Sequence, residues 1–181
     1  GGSATLSAVT SLGLVQVTVG GSIIDGDPGG MAAIAAGQAA LKAGGSIGSA
    51  STPLQIAVAN LEASAGGNIH LANIATSPLT VGGVSGGLSG LTAGGALQLT
   101  TLGPLLVLEQ VTSHGPLDVH SIGDLSIAAH VMSGGGSLAV GVQDQDPPLP
   151  TVMSGFRAGT GPDLSFNYYW RYDTDQTPAE R

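Results

Sequence analysis

Six apolar positions in this chain recur at a single spacing. Leu97, Leu99, Leu102, Leu105, Val107 and Val111 are followed 20 residues later by Leu117, Val119, Ile122, Leu125, Ile127 and Val131. That many coincidences at one offset, in a stretch otherwise polar, mark an internal repeat. Self-similarity at a fixed period of about 20–50 residues is the signature of solenoids and related arrays. The motif Ala96-Leu97-Gln98-Leu99 returns as Pro116-Leu117-Asp118-Val119 and again as Ser137-Leu138-Ala139-Val140.

Looser copies lie upstream. Asn68-Ile69-His70-Leu71 opens one unit and Pro78-Leu79-Thr80-Val81 supplies its second strand, with Pro53-Leu54-Gln55-Ile56 in the same role one unit earlier. The units fall at about 1–20, 21–45, 46–67, 68–95, 96–115 and 116–136, with a partial one after 137. Within them, apolar residues alternate over three to five positions bounded by Gly or Pro, the pattern of short half-buried strands. A unit with three such strands closes into one coil of a parallel β-helix, and successive coils stack about 4.8 Å apart. Leu97, Leu117 and Leu138 then form one inward ladder, and Leu99, Val119 and Val140 another. About six coils give a rod near 30 Å long at that spacing. Met31 to Ala43 is Ala-rich and competes as a helix. Its central Gly37 and the following Gly44-Gly45 favour two short strands packed tightly inside.

Composition agrees with a narrow interior. All six aromatic residues lie after position 155, although aromatics dominate most cores because each buries a large apolar area. Glycine accounts for 31 of 181 residues and falls in pairs such as Gly44-Gly45, Gly66-Gly67 and Gly94-Gly95, which mark turns. There is no cysteine, so neither disulfides nor thiolate chemistry is available. Only 4 Lys and Arg stand against 12 Asp and Glu, and Lys42 is the sole basic residue before Arg157. No cationic patch for nucleic acid can form from that set. The uncharged run from Ala63 to Leu108 is broken throughout by Gly, Pro, Ser and Thr, so no membrane span is expected. The opening Gly1-Gly2-Ser3 carries no initiator Met and no signal peptide, which predicts a processed chain or a fragment.

The stretches Leu41-Lys-Ala-Gly-Gly-Ser-Ile-Gly-Ser-Ala-Ser-Thr-Pro-Leu-Gln-Ile-Ala, Leu61-Glu-Ala-Ser-Ala-Gly-Gly-Asn-Ile-His-Leu and Leu79-Thr-Val-Gly-Gly-Val-Ser carry a family likeness. Over about residues 20 to 140 the chain resembles the β-strand repeats of filamentous-haemagglutinin-like exoproteins and giant bacterial surface proteins. The resemblance implies an all-β, right-handed parallel β-helix, export to the cell surface, and a part in adhesion or surface structure. It brings no catalytic residues. The amino-terminal secretion domain of two-partner exoproteins and the Gly-Gly-x-Gly-x-Asp calcium repeats are both missing from this sequence, which leaves the export route open.

Candidate chemistry is sparse. Asp25-Gly-Asp27 and Asp144-Gln-Asp146 each pair two carboxylates, fewer than a hard cation wants, and are expected to be solvated turn residues. Aligning the units puts His70, Gln98 and Asp118 at equivalent outward positions, with His120 two residues beyond Asp118. An imidazole beside a carboxylate can act as an acid–base pair, but metal ligation needs three or four converging groups. Surface ladder residues are the plainer expectation. Glu62 and Glu109 read as isolated, so a glycosidase carboxylate pair is not inferred. Neither a Gly-x-Ser-x-Gly elbow nor a phosphate loop is present. No catalytic residue, cofactor or metal is expected.

The repeat ends near Gln143, dividing the chain into a body, 1–143, and a tail, 144–181. Asp146-Pro-Pro-Leu-Pro150 reads as a stiff linker. Beyond it Leu164, Phe166, Tyr168, Trp170 and Tyr172 alternate with Ser165, Asn167, Tyr169 and Arg171, an amphipathic strand. This strand folds back over the last coil and hides its open edge, adds to a neighbouring subunit, or stays disordered. Phe166, Tyr168, Trp170, Arg171 and Tyr172 are of the types that dominate interface energies. The expected function is that of a non-catalytic extracellular structural subunit, self-assembling with copies of itself, head-to-tail or laterally, into a filament, sheath or layer. The alternative is an adhesin segment that binds surface glycans through the tail aromatics.

Overall fold

The computed structural model describes residues 1–84 and 87–142, together with the backbone of the strand Val152–Met153. The chain winds as an all-β parallel solenoid of about six turns, and no helix occurs among the described residues. The first coil holds β1 (Ala4–Leu6), β2 (Val9–Thr10) and β3 (Leu14–Val19); the second holds β4 (Ile23–Asp25) and β5 (Ile34–Ala43). The third passes through Ile47 and β6 (Leu54–Ala65), and the fourth through β7 (Ile69–Asn73), β8 (Leu79–Val81) and β9 (Leu91–Ala93). The fifth comprises β10 (Leu97–Thr101), β11 (Leu105–Val107) and β12 (Val111–Ser113). The sixth repeats it with β13 (Leu117–Ser121), β14 (Leu125–Ile127) and β15 (Val131–Ser133), and β16 (Leu138–Val142) and β17 (Val152–Met153) begin another.

Register is set by the alternation of apolar and polar residues, because a slip of one would turn every side chain to the opposite face. On the first face Ile23, Ile47, Ile69, Leu97, Leu117 and Leu138 stack coil on coil. Leu71, Leu99, Val119 and Val140 form the next row. The second face carries Ala39, Leu61 and Val81, continued by Val107 and Ile127. The third carries Val17, Leu41, Ala63, Leu91, Val111 and Val131. Apart from Val17 and Val140, which pack against it half-covered, these residues belong to one continuous buried cluster of aliphatic side chains. Each fully buried Leu or Ile contributes roughly 1.5–3 kcal/mol relative to exposure.

Two local expectations need correction. Ile34–Ala43 is a single strand rather than two, and it turns the corners of the coil with its pairing to β6 interrupted only at Gly37. A side chain at Gly37 would meet the carbonyl oxygen of Leu12 at 2.7 Å, so the glycine lets the coils close there. Leu54–Ile56, expected as a second strand, pairs instead with Leu71–Asn73 on the first face, and Asn60–Leu61 takes the place beside Thr80–Val81. The cause is an insertion. Residues 48–53 lie between Ile47 and Leu54, where the next coil passes from Ile69 to Leu71 in two steps.

Candidate functional site

One corner of the solenoid is built from a motif at the start of each of the first five coils. Gly20-Gly21-Ser22, Gly44-Gly45-Ser46, Gly66-Gly67-Asn68 and Gly94-Gly95-Ala96 follow one another up the rod, after Gly1-Gly2-Ser3. A Cβ on Gly44, Gly66 or Gly94 would run into the carbonyl oxygen of the glycine one coil earlier, so only glycine allows this approach. The third residue of each motif reaches along the axis. Ser3 Oγ accepts Ser22 N–H at 2.9 Å, Ser22 Oγ accepts Ser46 N–H at 3.0 Å, and Ser46 Oγ accepts Asn68 N–H at 3.1 Å. Asn68 Oδ1 then accepts Ala96 N–H at 2.9 Å. Sequence reasoning saw the glycine pairs as turns and missed the ladder, although a recurring Gly-Gly-Ser/Asn was the signal.

Buried hydroxyls hold two further corners in the later coils. Thr101 Oγ1 donates to Gly103 O at 2.5 Å, and Ser121 Oγ lies 2.9 Å from both Gly103 O and Gly123 O. Ser113 Oγ donates to Gly115 O at 2.6 Å, and Ser133 Oγ lies 2.9 Å from the same oxygen. A hydrogen bond of this kind is worth about 0.5–1.5 kcal/mol net.

The outward face of the first sheet carries the histidine set. His70, Gln98 and Asp118 occupy one row, in register across β7, β10 and β13. His70 Nδ1 and Gln98 Oε1 are 3.3 Å apart. His120 Nε2 and Asp118 Oδ1 form an ion pair at 2.6 Å, with both side chains about two-fifths exposed. The hydrogen bond to Asp118 raises the His120 pKa, partial burial opposes the rise, and the Asp118 charge adds to it. Asp25 departs from the expected solvated turn. Its carboxylate is buried and accepts Asp27 N–H and Gln55 N–H, both at 2.9 Å. Asp144 and Asp146 lie outside the described residues.

Glu62 and Glu109, which bracket the long uncharged run, meet at one loop. The chain between β8 and β9 is longer than the equivalent corners after β11 and β14, and Val84 at its start lies against the buried Glu62. Glu62 Oε1 accepts Val84 N–H at 2.8 Å; Glu109 accepts Gly83 N–H at 3.2 Å and Gly90 N–H at 2.7 Å. Asn60 Nδ2 donates to Gly82 O at 3.0 Å. Gly82 and Gly90 have positive φ, and a Cβ on either would strike Glu109 or Gln110. Burial pushes the Glu62 carboxyl above its ordinary value, the Val84 N–H opposes this, and the Glu109 charge adds to it. Both carboxylates thus serve as acceptors for loop amides. Among the described residues, no group of three or more His, Asp or Glu is placed to hold a metal ion.

The two ends of the rod differ from its middle. Leu6, Val9, Val17 and Val19 in the first coil are only partly buried, whereas Ile23, Ile34 and Leu41 in the second are fully covered. Leu12 is fully exposed. At the other end Leu138 is buried, while Val140 and Val142 are half-covered. Among the described residues β1 pairs only with β4, and β16 only with β13. Leu97, Leu99, Leu117, Val119 and Leu138 are buried in the inward rows, with Val140 packed against them. Phe166, Tyr168, Trp170, Arg171 and Tyr172 lie outside the described residues. No helix of the described residues is long and apolar enough to cross a membrane. No protein-family model, curated protein or solved structure matches the chain.

Proposed function

We propose that this chain is a non-catalytic, extracellular structural subunit that assembles with copies of itself into a bacterial surface filament, sheath or layer. The reading follows the resemblance to filamentous-haemagglutinin-like repeats. The observation that carries it is the pair of half-covered apolar ends, where among the described residues β1 pairs only with β4 and β16 only with β13. Exposed strand edges recruit further strands unless charge, Pro or a covering element blocks them. The described polar clusters support the same reading, because Glu62 and Glu109 bind backbone amides and Asp118 binds His120. In this account Phe166, Tyr168, Trp170, Arg171 and Tyr172 supply additional subunit contacts.

Sedimentation of the full chain beside one stopped at Gln143 tests the proposal. Concentration-dependent growth of both species makes end stacking sufficient, and growth of the full chain alone makes the tail a required contact. Monomers in both cases, with saturable binding on a glycan array, would replace self-assembly with the adhesin reading.

A further inference from the structure

We infer that copies of this chain join head-to-tail through the first face, with β16 of one copy pairing in parallel register with β1 of the next. The inference rests on the self-assembly reading and adds the surface and register. Extending the coil-to-coil register by one step sets Leu138 over Ala4, Val140 over Leu6 and Val142 over Val9. Each pair is apolar, and most of these side chains are half-covered in the single chain, as if one further coil were missing.

The polar corner matches too. Along the rod, each Ser or Asn oxygen accepts the N–H of the equivalent residue one coil later. Ser137 occupies this row in the last coil, just before Leu138, and is exposed. Its hydroxyl is the acceptor that the Ser3 N–H of a following copy would meet. β1 reads Ala-Thr-Leu and β16 reads Leu-Ala-Val-Gly-Val, without the charge or proline that natural edge strands use against pairing. The occupant the geometry selects is therefore a second copy, seated with the same parallel stacking that holds the coils together.

The absence of cysteine makes the register directly readable. Thr5 and Ala139 share the outward row that contains His70 and Asp118, and they stand at opposite ends of the rod. Within one copy they are several coils apart, at about 4.8 Å per coil, beyond disulfide reach. Across the inferred junction they become direct neighbours. Oxidation of the full chain carrying Thr5→Cys and Ala139→Cys should give a ladder of disulfide-linked multimers. Each single variant should stop at dimer, and a mismatched Thr92→Cys/Ala139→Cys pair should give no ladder. Absence of the ladder where the parent chain still sediments as multimers would overturn this junction and leave self-assembly standing. Absence of both would overturn the two together. A ladder from a version stopped at Gln143, but not from the full chain, would show that residues after Gln143 cover the edge and would also overturn the junction.

Discussion

Asn68 Oδ1 accepts the backbone N–H of Ala96 at 2.9 Å, and this is the last link of a ladder that began at Ser3. Ala96 offers no side-chain acceptor to the coil after it. The residue stacked there is Pro116, which has no N–H to satisfy, while its carbonyl still accepts Leu97 N–H at 2.9 Å. Donor and acceptor disappear from the row together, so neither is left unpaired.

That relationship predicts coupling. Asn68→Ala should cost about 0.5–1.5 kcal/mol, the net worth of one hydrogen bond. In an Ala96→Pro background the same substitution should cost close to nothing, because the donor is gone. A double-mutant cycle by urea denaturation measures the difference. Equal costs in both backgrounds would remove the ladder from the account.

The glycine corner should resist even a methyl group. Gly66→Ala places a carbon against the backbone carbonyl of Gly44, which cannot swing aside as a flexible side chain would. The expected loss is about 1–3 kcal/mol, the scale of overpacking. Gly13→Ala, which meets nothing within 4 Å, is the control and should leave the melting curve unchanged.

A charge inside the rod should be worse. Leu117 is fully buried between Leu97 and Leu138. Leu117→Asp should cost several kcal/mol as an unpaired buried ion and abolish a normal cooperative melt.

Glu62 fixes the sign of a pH effect. Its folded-state carboxyl holds a proton at higher pH than the unfolded chain does, because burial and the Glu109 charge outweigh the Val84 N–H. It therefore lowers stability above its folded pKa, and the penalty is relieved as the pH falls through that value toward the ordinary carboxylate range. Glu62→Gln keeps an acceptor for Val84 and should raise the Tm at neutral pH, with the gain fading on acidification. A lower Tm at neutral pH would contradict this.

His120 gives the same sign of pH dependence through a favourable charge rather than a penalised one. Its raised pKa stabilises the fold fully below the unfolded value, and that contribution is lost as the pH rises through the folded pKa. An NMR titration should place the imidazole above the ordinary histidine value, and Asp118→Asn should bring it back.

Much of the solenoid was legible because its rows repeat at a fixed offset. Leu97, Leu105 and Val111 find their partners 20 residues on, and the alternation around them gives the inward face. Where loops intervene the offset fails. Leu54 lies in the row of Leu71 only because residues 48–53 leave the coil, and no period announces that excursion. The meeting of Glu62 and Glu109 was hidden for the same reason. They come from coils on either side of a glycine-rich loop, and each looks solitary in sequence. Asp25 misled differently: an aspartate in a Gly-rich turn usually faces water, yet here two amides draw its carboxylate inward.

Electron microscopy of the full chain over a rising concentration series tests the central claim most directly. The account predicts unbranched filaments that lengthen with concentration, with strands stacked about 4.8 Å apart along the filament axis. Single particles no longer than one rod at every concentration would contradict it.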